Sequence, residues 1–144
     1  MFARIFFNNI QVLVFAVIFS FLYGVGAIFI LTWNASVIAA AIGIFIKTGI
    51  SEIASYVGLA KVAAYFKVVS LGLLRYSIHG IPEILAYFVA GLGAGIISVA
   101  VLRHGLEMDK FRKILFDSTN LFVIALVILT IAALLEVYVT PLMF

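Results

Sequence analysis

The chain has 144 residues, of which 67% are hydrophobic and 10% charged, with a formal net charge of +3 and a mean hydropathy of +1.35. Soluble domains carry about 25% charged residues, so nine basic and six acidic side chains cannot clothe a water-soluble globule of this size. The absence of cysteine excludes disulfides, cysteine-held zinc and thiol catalysis.

The length fits one transmembrane domain over residues 1–144. The positive charge is spread thinly and reads as an orientation signal. It forms no basic cluster with aromatic platforms, so no nucleic-acid partner is expected. The first apolar run is far longer than the core of a signal peptide, and a cleaved leader is not expected.

That first run, Ile10 to Leu31, holds no charge and at 1.5 Å per residue can cross a core of about 30 Å. It is expected to form one span, with Gly24 and Gly26 as close-packing positions and Trp33 as an interfacial anchor. Ala35–Ile46 is apolar but short before Lys47, and is expected to be a short or re-entrant span. Residues 48–77 are apolar but interrupted by Glu52, Lys61, Lys67 and Arg75. Their spacing predicts an interfacial helix, or one packed inside the bundle, rather than a lipid-facing span.

The next span is expected from Ile81 to Leu102, with Gly80 breaking the chain before it and Pro82 in its first turn. Residues 84–102 carry no charge. Gly91 and Gly95 form a Gly-x-x-x-Gly pair, and Ala86, Ala90, Ala94 and Ser98 extend it, a surface suited to close helix contact. Residues 103–117 read as a hydrophilic loop with a solvated His104. Arg103, Lys110, Arg112 and Lys113 make it the most basic short connection in the chain, so it is expected in the cytoplasm. A last span runs from Ser118 to about Tyr138, and Pro141 is expected to end it.

Ionisable residues within spans are the first place to look for function. Glu83 lies 19 residues before Leu102, and Glu136 lies 19 residues after Asp117. In an antiparallel hairpin both carboxylates fall at one depth. His79 is one helical turn before Glu83, and Asn8, Asn9 and Thr140 can reach the same level. Such a cluster could hold a divalent metal, relay protons or line an ion path, or simply pin helices together through buried hydrogen bonds. Two carboxylates this close would share a proton or a cation. His79, Glu83 and Glu136 are the metal candidates, although a second histidine for a His-Glu-x-x-His helix is missing. No Gly-x-Ser-x-Gly elbow is present, so a serine hydrolase is not expected.

The motifs come in a recognisable order. Phe7-Asn8-Asn9-Ile10 opens the first span, Asn34 follows it, His79-Gly80-Ile81-Pro82-Glu83 precedes the small-residue helix, and Leu134-Leu135-Glu136 leads to Thr140-Pro141. Together they resemble the stage II sporulation protein M family over nearly the whole chain. Where the family reads Asn-Gly, this chain has Asn34-Ala35. Family members usually also carry a further N-terminal helix and an extended segment, which makes this chain a minimal member or a fragment.

The resemblance implies a multi-span protein with Asn8, Asn9, Asn34, His79, Gly80, Glu83, Glu136 and Thr140 as its motif residues. In spore formers the family member is a membrane anchor that recruits cell-wall-degrading partners. The fold expected is an all-α integral membrane protein, a small transmembrane helix bundle with three full spans, one short or re-entrant span and one interfacial or buried amphipathic helix. The function expected is a non-enzymatic membrane scaffold or assembly factor of the cell membrane, without a cofactor. Its partners would be lipid and either further copies of itself or other envelope proteins. The alternative is an ion- or proton-handling protein using the His/Glu/Glu cluster.

Overall fold

The structure is a computed structural model that describes residues 1–24, 26–104 and 108–143, apart from the side chains of 26, 27, 103, 104 and 108–110. All the regular elements among them are helical. They are α1 (Phe2–Tyr23), α2 (Gly26–Glu52), α3 (Gly58–His104), α4 (Met108–Leu134), a π-helical turn (Leu135–Val139) and the short α5 (Thr140–Met143). Four stretches are long and apolar enough to cross a membrane. The protein is an all-α membrane bundle, because in hydrocarbon each backbone amide must be satisfied within its own segment.

The apolar run Ile10–Leu31 is two helices rather than one. At Gly24 the backbone takes φ 65° and ψ −70°, a region that side-chain-bearing residues avoid. The chain folds back there, and Phe19 stacks on Phe29 with ring centres 6.1 Å apart. Gly24 is therefore a turn glycine and not a packing one, since a Cβ added to it would meet nothing within 4 Å. The packing expected of Gly26 falls outside the described side chains.

Ala35–Ile46 is not a short span. It is the middle of α2, which continues through an exposed Lys47 to Glu52. At 27 residues α2 is about 40 Å long, enough to carry Lys47 beyond the apolar slab. Residues 53–57 then turn the chain into α3.

α3 has 47 residues and includes Pro82, so Gly80 does not break the chain. Proline removes one helical hydrogen bond, to the carbonyl of Ile78. Neighbouring helices brace the site, with Ile38 against Gly80 and Asn9 bonded to Glu83. At about 70 Å α3 is more than twice the thickness of a hydrocarbon core.

α3 contacts every other long helix. Its first half packs antiparallel to α2: Gly49 faces Val68, and Gly72 faces Phe45 and Ile46. Its second half packs parallel to α1, where Ser20 Oγ donates to Gly91 O at 2.6 Å and Ser98 Oγ donates to Phe21 O at 2.6 Å. α4 runs antiparallel on the other side, and a Cβ at Gly93 would stand 3.3 Å from Ser118 O and 3.1 Å from Phe122. The core lies here, around Leu13, Ala16, Ala86, Tyr87, Ala90, Ala125 and Leu129.

Residues 103–117 are mostly helix and not loop. α3 reaches His104 and α4 starts at Met108. The connection 105–107 and the solvation expected of His104 lie outside what is described. Pro141 does not end the last helix either. It sits directly after the π-helical turn, where its missing N–H forgoes one backbone bond, and helix continues to Met143.

Candidate functional site

Four elements bring the polar motif residues to one cleft of about 360 Å³. α1 supplies Arg4, Asn8 and Asn9, α2 supplies Asn34, α3 supplies His79 and Glu83, and the π-helical turn supplies Glu136. Ile5, Val37 and Ile38 complete the wall.

Each placement follows from helical spacing. On α1 the buried positions are Asn9, Leu13, Ala16 and Ser20, three or four residues apart, so Asn9 begins the stripe that faces α3. Its amide Nδ2–H donates to Glu83 Oε1. On α3, His79, Glu83 and Tyr87 are successive turns of one face. Glu83 and Tyr87 are buried, and His79 is half-buried.

The last helix reaches the site through its wide turn. The backbone N–H of Thr140 bonds to Leu135 O, five residues back, as π-helical turns do. The Thr140 hydroxyl also donates to Leu135 O at 3.1 Å. The same hydroxyl lies 3.4 Å from His79 Nδ1, so it faces the imidazole while its backbone stays anchored in the turn.

Several polar atoms in this region lack partners. Asn34 Nδ2 and the Tyr87 hydroxyl are shielded from solvent and make no hydrogen bond. Among the described residues Glu136 makes no hydrogen bond, and no direct bond joins it to Glu83, although the two carboxylates act on each other electrostatically. Both also act on the Tyr87 phenol, and Arg75 acts on His79. Buried polar atoms without partners are costly, about 1–3 kcal/mol each, and in a structured site they invite a ligand or water.

Of the residues singled out from sequence, Asn8, Asn9, Asn34, His79, Glu83 and Glu136 line the cleft, and Thr140 braces His79 from behind. Among the described residues no three His, Asp or Glu side chains form a group that could hold a metal ion; His79 and Glu83 share one face of α3, while Glu136 enters from the π-helical turn. Gly91 and Gly95 lie away from the cleft, against Ser20 of α1.

Sequence reasoning missed Arg4 and Tyr87. Each stands one turn from a motif residue, Arg4 before Asn8 and Tyr87 after Glu83, so the spacing of four could have found them. It also missed Gly93, whose contact with α4 is closer than that of Gly95 with α1.

A polar cleft held by buried asparagine, histidine and glutamate inside an all-helical bundle marks a membrane protein with a specialised site. The family description for stage II sporulation protein M matches residues 1–141, and the chain belongs to that family. No curated protein and no solved structure matches it.

Proposed function

We propose that the protein is a multi-pass scaffold of the cell membrane that holds further copies of itself or other envelope proteins, and that it is not an enzyme. The observation that supports this is the first half of α3. Its face toward α2 is filled by Val68 and Gly72, while Leu59, Val62, Phe66 and Leu73 on the opposite face are exposed. These four follow a three–four spacing suited to a second helix. α3 is also too long for one bilayer crossing along the normal, so this arm offers side chains beyond what the chain itself can cover.

The ion- or proton-handling alternative has weaker support. The cleft is polar, but the runs 84–102 and 118–135 beyond it contain no titratable side chain except Tyr87. A path across the membrane would need more relay groups.

A photo-crosslinking residue at Phe66, in native membranes, tests the scaffold reading. Discrete protein adducts, not formed from the exposed position Leu102, are expected. Adducts to lipid alone would overturn it.

A further inference from the structure

We propose that the cleft between α1 and α2 binds the headgroup of a phospholipid bearing a primary ammonium group. This goes beyond the scaffold reading and does not depend on it.

Depth is the first argument. Glu83 immediately precedes the charge-free run 84–102, and Glu136 immediately follows the charge-free run 118–135. Trp33, 65% exposed, adjoins Asn34 of the cleft wall. Tryptophan favours the boundary between hydrocarbon and water. On α3 and α4 the cleft therefore stands at the end of the charge-free runs, the level at which headgroups are met.

Charge is the second. Arg4, in the first turn of α1, stands exposed on the wall of the cleft, and a guanidinium pairs with phosphate in bidentate fashion. The carboxylates of Glu83 and Glu136 lie in the same cleft. A guanidinium and two carboxyl groups across one cleft mirror a phosphate joined to an ammonium. A bare divalent ion fits less well, because the carboxylates and His79 do not form a ligand set.

The third argument is hydrogen-bond count. A primary ammonium has three N–H donors. The cleft offers carboxyl oxygens of Glu136 and of Glu83, one of whose oxygens is taken by Asn9, and the imidazole of His79 stands on the same wall as Glu83. Asn34 Nδ2, shielded and without a partner, is a donor in search of a phosphate or ester oxygen. A trimethylated ammonium has no N–H and leaves these carboxyl oxygens unmet. The volume, about 360 Å³, is within the range of small-ligand sites, about 300–1,000 Å³.

The test uses the full chain in nanodiscs of phosphatidylcholine to which phosphatidylethanolamine, phosphatidylglycerol or more phosphatidylcholine with the same acyl chains is added. Thermal unfolding and native mass spectrometry are read together. Phosphatidylethanolamine should raise the unfolding temperature by at least about 3 °C and be retained about tenfold over phosphatidylcholine. Glu136→Gln should abolish that preference while keeping the fold, since the Asn9–Glu83 bond is untouched. Arg4→Gln, at an exposed position, should weaken retention and serves if the first variant does not fold.

Equal stabilisation by all three lipids would overturn the proposal, and so would a preference that survives both substitutions. Preference for phosphatidylglycerol would overturn the ammonium assignment. Full competition by water-soluble phosphoethanolamine would overturn the lipid as its source.

Discussion

The side-chain amide of Asn9 donates a hydrogen bond to the carboxylate of Glu83, tying α1 to α3 across 74 positions of chain. Both residues are buried, and the bond sits one turn from His79 on α3, so it orders the wall on which the polar cleft is built. Asn9→Leu should lower stability by about 1.5–3 kcal/mol, the usual worth of a hydrogen bond to a charged group. Glu83→Gln should leave the fold nearly unchanged, because the amide oxygen still accepts from Asn9. Thermal unfolding in detergent measures both. A silent Asn9→Leu would show that the bond contributes nothing.

Two glycines should fail for different reasons. Gly24→Ala meets no neighbour within 4 Å, so its cost is the strained positive-φ backbone alone, about 1–3 kcal/mol. Gly93→Ala keeps ordinary helical backbone but drives a methyl to 3.3 Å from the backbone oxygen of Ser118 and 3.1 Å from Phe122. Separation of α3 from α4 should cost about 1–3 kcal/mol. Gly93→Leu should be worse still, and Gly95→Leu should push α1 away from α3 at Ser20. Unfolding temperatures of the four variants decide the matter, and unchanged values for the leucine variants would refute the packing account.

Ser20→Ala should destabilise the bundle by about 0.6–1 kcal/mol. The hydroxyl carries one proton and lies 2.6 Å from Gly91 O and 3.1 Å from Gly24 O, so the shorter bond, between helices, is the one lost. Ser98→Ala removes the neighbouring bond to Phe21 O and should act alike. The double variant, measured in the same assay, should be close to additive, as the two bonds share no atom.

Orientation follows from the basic residues at the α3–α4 connection. A single cysteine at Lys110 should resist membrane-impermeant thiol reagents in intact cells and label after permeabilisation, since short basic connections stay in the cytoplasm. Ready labelling in intact cells would reverse the orientation of the bundle.

Much of this was legible from composition and spacing. Charge-free runs fixed an all-helical membrane bundle, because lipid tolerates no unpaired backbone. Counting 19 residues from each side of the α3–α4 turn puts Glu83 and Glu136 at one depth, one helical turn adds His79, and the Asn8-Asn9 motif adds Asn9. The tertiary structure alone decided where helices stop. Gly24 looked like one more small residue in an apolar run, whereas Gly80 and Pro82 looked like a break. Neither reading held, because a glycine turns the chain only where both flanking segments gain a partner by folding back, as α1 and α2 do against α3. A proline is carried through a helix where neighbouring helices pack against it, as Ile38 does at Gly80 and Asn9 at Glu83. The cleft's open acceptors and its unpaired Asn34 amide also needed three dimensions. Which hydrogen bonds are already used depends on residues as far apart as Asn9 and Glu83, or His79 and Thr140, and no local spacing encodes that.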